Sequence, residues 1–390
     1  MNLTGTPVLI LSGVLFAASL VLAMAHWSGR GLLFRSPRLH QRQRTLPRAL
    51  SHLGRLLFCQ STAVAMIFVI VNDENQLYDS WGDLLGTSSH VRSVPVPPKD
   101  EGLAATLSAV PGGQSGRPTP KVPQSFRGPD SNDVPRSVKQ TELKGRLSGV
   151  EGEVLVWTPP QYNDPAYTDK KFPVVELFAG YPGSATAWFG GAMNAIARLE
   201  PLMKTGEVTP FILVAPRVKL LSNADTGCAD VPDKVNADTW LSRDVPQMIV
   251  DNFRADTAAD RWAVAGYSAG AHCALRLALT HPNRYRAAIS MSGYNDPARE
   301  PSSLTGADPT MRQTANPLYI LTHAETPPNV ALYVSGKRGD GLEDGIALKR
   351  AAKSPTTVTP VETPGPHTSA TWGAQVVPIF KWLTGIIPLR

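Results

Sequence analysis

One stretch constrains the fold more than any other part of the chain: "RWAVAGYSAGAHCALRLALT" at positions 261–280. An apolar run of strand character ends at Tyr267, a G-x-S-x-G turn centres on Ser268, and an Ala- and Leu-rich helical segment follows Gly270. Strand, sharp turn and helix in that order present the turned residue at the carboxyl edge of a sheet. The flanking glycines let neighbouring backbone pass where a Cβ would collide. The five-residue motif alone is weak, because a small residue in a glycine-rich turn satisfies it equally well. The strand before it and the helix after it make Ser268 a candidate nucleophile.

The same alternation runs through the rest of the second half. "KQTELKGRLSG" and "GEVLVWTPP" form an expected antiparallel opening pair, the second strand stopped by Pro159 and Pro160. Apolar runs at 172–180, 209–216, 261–268, 286–293 and 330–340 read as further strands. Helical patterns fall at 187–204, about 239–254, 269–281, 344–353 and 368–385. The expected class is therefore α/β, a mostly parallel central sheet with helices on both faces and its chemistry at the carboxyl ends of the strands. No internal repeat interrupts it.

Charge is distributed unevenly. The formal net charge is +6, but residues 1–72 hold seven arginines (Arg30, Arg35, Arg38, Arg42, Arg44, Arg48 and Arg55), no lysine and no acidic residue. Without those seven, the remaining Lys and Arg nearly balance the 32 acidic residues, so no basic stripe is left for nucleic acid. The arginines are framed by two apolar runs, "PVLILSGVLFAASLVLAMA" at 7–25 and "LLFCQSTAVAMIFVIV" at 56–71. The first is long enough to cross a bilayer, and the second becomes so if Arg55 snorkels to an interface. A cleaved signal peptide is the alternative, but "MNLTGTP" lacks a positive start. With an Arg-rich loop (28–55) held in the cytoplasm, everything after residue 72 is expected outside. Tyr78 and Trp81 would suit a short interfacial segment beyond the second span, the alternative being that either packs on the domain. Three parts follow: a two-helix anchor (1–72), a juxtamembrane segment with a Pro/Gly-rich linker (73–135), and a catalytic domain (136–390) in a multi-pass cell-membrane protein.

Of three cysteines, Cys59 sits in the second apolar run, while Cys228 and Cys273 fall in the exported part. An even pair outside the cytoplasm is expected to form a disulfide.

A serine nucleophile needs a base, and an acid to orient that base. His26, His40 and His52 lie in the membrane region and His90 beside the linker. His272 and His281 ride the helix after Ser268 and are expected on its surface, and His323 precedes the strand that should carry the acid. His367, in the Gly/Pro loop "ETPGPHTSATWGAQ", is late enough in the order nucleophile, acid, histidine. Asp340, Glu343 and Asp344 follow the "VALYVSG" strand. Asp340 comes first and is the expected acid, Glu343 is next, and Asp344 reads as a helix N-terminus. Two backbone N–H groups for an oxyanion hole are expected from Ala269, after the nucleophile, and from Tyr181 in "AGYPGS".

These pieces carry a resemblance. From about 138 to 386, with "TWLSRDVPQMI", "GYSAGAHCALRLALTHPNRYRAAISMSGY" and "HTSATWGAQ", the chain resembles the esterase D-like family of α/β-hydrolases, and within it the branch of secreted actinobacterial mycolyltransferases. The resemblance implies an α/β-hydrolase fold and acyl-serine chemistry. It also implies a Glu acid at the start of the helix after the acid strand, which would favour Glu343. Many such esterases carry His-Gly where this chain has Ala179-Gly180.

No H-E-x-x-H, C-x-x-C or G-x-x-x-x-G-K-[ST] is present, so neither a metal nor a nucleotide cofactor is expected. The expected function is a membrane-anchored extracytoplasmic serine esterase acting on carboxylic esters, with a lipid or cell-envelope glycolipid as candidate substrate. Acyl transfer to a sugar or lipid hydroxyl is the alternative, and a non-catalytic cell-envelope binding module is the alternative of another class.

Overall fold

The computed structural model describes residues 6–27, 45–78, 80–87, 90, 91, 94 and 121–389. Most of the expected Arg-rich loop, 28–44, and the centre of the expected linker, 95–120, lie outside the described residues.

The sheet has eight strands in the order β1-β2-β4-β3-β7-β8-β9-β10. β1 (Lys139–Lys144) and β2 (Glu151–Trp157) pair antiparallel, and β2 lies antiparallel on β4 (Ile212–Pro216). From there the strands run parallel: β4, β3 (Val174–Phe178), β7 (Trp262–Tyr267), β8 (Ala287–Met291), β9 (Ala331–Gly336) and β10 (Thr357–Glu362). A two-residue pair, β5 (Asp230–Val231) and β6 (Val235–Asn236), stands apart.

Every residue of β3, β4, β7, β8 and β9 is buried, because both faces of these strands are covered. Successive residues serve opposite cores. Val174, Ile212 and Val264 pack with α5 (Val245–Asn252) and α6 (Ala269–Thr280), while Val175, Leu213 and Ala263 pack with α4 (Ala195–Thr205) and α8 (Ser369–Ile386). α7 (Leu342–Ala351) joins the first core through Leu348. β10 closes one edge, half exposed and carrying Pro360, which blunts further strand pairing. Polar groups also sit in the first core: Glu176 on β3, fully buried, accepts a hydrogen bond from the Tyr285 hydroxyl at 3.0 Å. Burial pushes its carboxyl up to about 8, with the Tyr285 bond opposing.

Two helices precede the domain, α1 (Thr6–Trp27) and α2 (Thr45–Asn75). Their stretches Pro7–Ala25 and Leu50–Asn75 are long and apolar enough to cross a membrane. They touch through a Ser19–Thr62 hydroxyl pair at 2.9 Å. α2 starts at Thr45, so Arg48 and Arg55 stand on the helix rather than in a loop. A four-residue α3 (Trp81–Leu84) follows.

Two details depart from the sequence reading and one adds to it. The helix expected over 187–204 begins only at Ala195, because Gly191 (φ +52°) and Asn194 (φ 37°) take left-handed backbone before it. The stretch 295–328 carries short helices at Leu304–Ala307, Pro309–Thr314 and Pro317–His323, the first two capped by Ser303 and Asp308 and the third by Asn316. Residues 121–135, read as the end of an extended linker, lie against the domain: Arg127 bridges Gln140 of β1, and the Gln124 amide donates to Thr141 at 2.8 Å.

Candidate active site

The turn between β7 and α6 is built from close backbone crossings. A Cβ on Gly266 would lie 2.0 Å from the Gly270 carbonyl oxygen, and one on Gly270 would lie 2.4 Å from the carbonyl oxygens of Phe178 and Ala179. Only glycine fits at either place. Between them Ser268 takes φ 55°, ψ −124°, a conformation L residues avoid, and its N–H donates to the Met291 carbonyl at 2.9 Å. Gly180 approaches from the loop after β3, where a Cβ would sit 3.0 Å from the Ser268 Cβ.

His367 arrives from the loop between β10 and α8, and Asp340 from the turn after β9. The structure links them: His367 Nε2 lies 2.9 Å from Ser268 Oγ, and His367 Nδ1 lies 2.9 Å from Asp340 Oδ1. A carboxylate only accepts, so Nδ1–H donates to Asp340 and Nε2 is left to accept from the serine hydroxyl. Asp340 is held by a compact turn in which its own N–H donates to the Lys337 carbonyl at 3.0 Å.

Glu343 points elsewhere. Its Oε2 accepts the Gly339 N–H at 2.9 Å, and this backbone contact holds its carboxyl below the usual range. Asp344, in the first turn of α7, accepts the Asn295 N–H at 2.8 Å, and burial raises its carboxyl.

The "HTSATWGAQ" segment has a job for several letters. Trp372 meets His367 edge-on with ring centroids 4.8 Å apart, and stacks on Tyr267 at 4.4 Å. Its indole N–H donates to Ser292 Oγ at 3.1 Å, which fixes the ring that backs the imidazole. Gly373 allows α8 to approach the Ala192 carbonyl, 2.4 Å from where a Cβ would stand. Gln375 accepts from Ser335 of β9 at 2.6 Å.

The other histidines of α6 lie apart from this chain. His272 is fully buried rather than on the helix surface, with Nδ1 2.9 Å from the Tyr294 carbonyl, and burial pushes it down to about 4. His281 contacts Asp238 at 2.6 Å, which Arg276 also contacts at 2.6 Å. Cys228, in the loop after β4, is disulfide-bonded to Cys273 on α6. That loop also carries Asp225, whose carboxyl burial, aided by the Glu300 charge, pushes up to about 7. Burial, with Asp225 and Glu300 nearby, pushes the Tyr181 phenol up to about 12. Asp225, Tyr294 and Glu300 carry no sequence signal of their own, since a loop has no period to show which residues turn inward. Among the described residues no cluster of His, Cys, Asp and Glu could hold a metal ion.

Comparison with known proteins gives this geometry a lineage. An uncharacterized protein of Corynebacterium glutamicum is 27% identical over 241 residues, 57% of this chain and 55% of that protein. The chain thus spans about half the length of this curated relative. Among solved structures, a ferulic acid esterase (TM-score 0.55, 19% identity) is matched over 64% of this chain and 98% of its own. A fluorophosphonate-binding serine hydrolase of Staphylococcus aureus (0.52, 18%) is matched over 63% and 97%, and an S-formylglutathione hydrolase of Agrobacterium tumefaciens (0.51, 16%) over 69% and 100%. These likenesses show the α/β-hydrolase fold. The profile of the family described as putative esterase matches residues 149–383, a span that holds Ser268, Asp340 and His367 together, and the chain belongs to that family.

Proposed function

We propose that the protein is a membrane-anchored serine esterase whose catalytic domain, residues 136–390 with 121–135 strapped to it, faces the extracytoplasmic side. The observation that carries the reading is the continuous chain Ser268 Oγ, His367, Asp340, with 2.9 Å at each link. His367 takes the serine proton as Oγ attacks an ester carbonyl, Asp340 stabilises the imidazolium, and the leaving alcohol takes the proton back. Water, deprotonated by the same imidazole, then releases the acid from the acyl-serine. The backbone N–H groups of Ala269 and Tyr181 serve as the oxyanion hole. Ala269 opens α6, where first-turn N–H groups have no acceptor within the helix, and Gly180 brings the Tyr181 loop against the nucleophile.

The seven arginines confined to the N-terminal region and the Cys228–Cys273 disulfide both favour export of the domain. Protease added to intact protoplasts should cut within 91–135; protection until lysis would reverse the topology. The test of the chemistry is labelling by a fluorophosphonate probe and hydrolysis of p-nitrophenyl esters. Ser268→Ala should abolish labelling and lower turnover by roughly 10³-fold or more. Continued labelling of the folded variant would remove Ser268 from the role.

A second reading keeps the acyl-serine but hands it to a sugar or lipid hydroxyl. It is favoured by the Trp372-Gly373-Ala374-Gln375 segment, whose Trp372 backs the imidazole. Product analysis with a hydroxyl acceptor present separates acid release from transfer.

A further inference from the structure

The juxtamembrane segment, expected as a short interfacial stretch, docks on loops at the Ser268 edge of the sheet. α2 ends at Asn75, and the chain docks at once instead of leaving the domain. Asn75 Oδ1 accepts from Ser369 Oγ at 3.0 Å, two positions beyond His367. The Gln76 carbonyl accepts the Ser184 N–H at 3.1 Å, and its side-chain Oε1 accepts from Thr186 Oγ1 at 3.1 Å. Both partners belong to the loop that begins at Tyr181. Gly191, in the same loop, lies so close that a Cβ there would stand 2.7 Å from the Glu74 carbonyl oxygen.

The segment then turns back on itself and reaches a second loop. Asn72 accepts the Tyr78 N–H at 2.9 Å and donates to the Tyr78 carbonyl at 3.0 Å, which folds residues 72–78 into a closed turn. The Lys219 ammonium, from the loop after β4, sits 4.7 Å from the Tyr78 ring centroid and 2.7 Å from Asp83 Oδ1. Both members of that ion pair are almost wholly buried, so the contact is a fixed joint and not a surface encounter. Asn223 from the same loop lies against Gly86.

Residues 72–78 and 80–87 therefore hold the loop after β3, the loop after β4 and the start of α8, all at the carboxyl edge of the sheet where Ser268 lies. On the outer side of this segment Trp81 is 53% exposed and Leu85 is 69% exposed. They follow, beyond that turn, a helix whose last turns still expose Ile70 and Val71. Tryptophan and leucine left uncovered beside a membrane-length helix match the headgroup boundary of the bilayer that helix would cross.

We propose that this junction seats the mouth of the active site on the membrane surface, so that the enzyme draws its ester from the lipid bilayer and not from solution. The inference rests on the reading of the chain as a membrane-anchored serine esterase. α2 serves as a short rigid strut: a flexible tether would let the site face any direction, whereas hydrogen bonds from the helix end to the Tyr181 loop and to Ser369 fix its distance and bearing.

The experiment uses the full chain reconstituted into phosphatidylglycerol vesicles, with two esters. One is p-nitrophenyl butyrate, which is soluble; the other is umbelliferyl oleate dissolved in the bilayer. An insertion of about ten Gly/Ser residues between Val71 and Asn72, a tether of roughly 17 Å, separates the span from the docked segment. A second variant, Trp81→Ser with Leu85→Ser, leaves the docking contacts alone and removes only the exposed apolar side chains. Wild-type enzyme should cleave both esters. Each variant should keep butyrate turnover within about twofold, while oleate turnover falls about tenfold with the insertion and about threefold with the double substitution. Wild-type enzyme that cleaves butyrate but ignores the bilayer ester overturns the inference and leaves the esterase reading standing. Wild-type enzyme that cleaves neither overturns both. Should the insertion lower both activities together, the double substitution decides, and a bilayer rate equal to wild type overturns the proposal.

Discussion

Two strand-to-helix turns, on strands separated in the sheet by β8 alone, supply the two ends of the Ser268–His367–Asp340 chain, and they are held by opposite means. In the β7–α6 turn the backbone is pinned by what is missing: Gly266 and Gly270 leave room for carbonyl groups 2.0 and 2.4 Å from where Cβ atoms would stand. In the β9–α7 turn Gly339 (φ +76°) faces open space, Glu343 lies in solvent, and three carboxylates within five positions differ only in which group each one meets. Ser268 is placed by packing of backbone, and Asp340 by selection among hydrogen bonds.

The sharpest way to break this contrast is Gly266→Ala. A methyl group at that point must push β7 and α6 apart, so a loss of about 3 kcal/mol or more, with loss of fluorophosphonate labelling, is expected. A labelled variant with near-native thermal stability would show the first turn to be as tolerant as the second. Asp340→Asn comes next: the fold should persist, as judged by circular dichroism and melting, while kcat falls by about 10²–10⁴-fold through loss of the imidazole's counter-charge. Gly339→Ala should cost only about 1 kcal/mol, from its left-handed backbone, with kcat near wild type. Smallest is Glu343→Gln, expected within about ±0.5 kcal/mol and nearly full activity. If Glu343→Gln proves inactive and Asp340→Asn active, the acid has been misassigned and the mycolyltransferase arrangement is the better guide.

The same contrast explains what could be read before the structure. A turn that tolerates nothing but glycine announces itself, which is why the strand–Ser268–helix unit and the order of Ser268, Asp340 and His367 were visible in the letters. The choice between Asp340 and Glu343 was not, because it depends on where a turn aims two chemically similar side chains. The start of α4 was misplaced because left-handed backbone at Asn194 has no compositional mark beyond one glycine pair, Gly190-Gly191. His272 was expected on a helix surface, yet α6 is buried on nearly all sides between the sheet and the loop bearing Cys228. The docking of residues 121–135 was invisible too. Pro, Gly and Ser show that a segment lacks a period, and say nothing about whether its backbone finds partners.

Glu176 gives the sheet a stored proton. Its carboxyl is pushed up to about 8 in the folded chain against an ordinary 4.5, so between those values the folded protein keeps a proton that an unfolded chain releases. Unfolding in that window sheds acid into the surroundings, and acid therefore opposes it. The contribution is whole below pH 4.5, drains away as the pH climbs toward 8, and stops changing once both forms are ionised. This one group therefore favours the folded chain more strongly as the pH falls, and replacing one oxygen by nitrogen, Glu176→Gln, should remove its share of the pH dependence of the melting temperature.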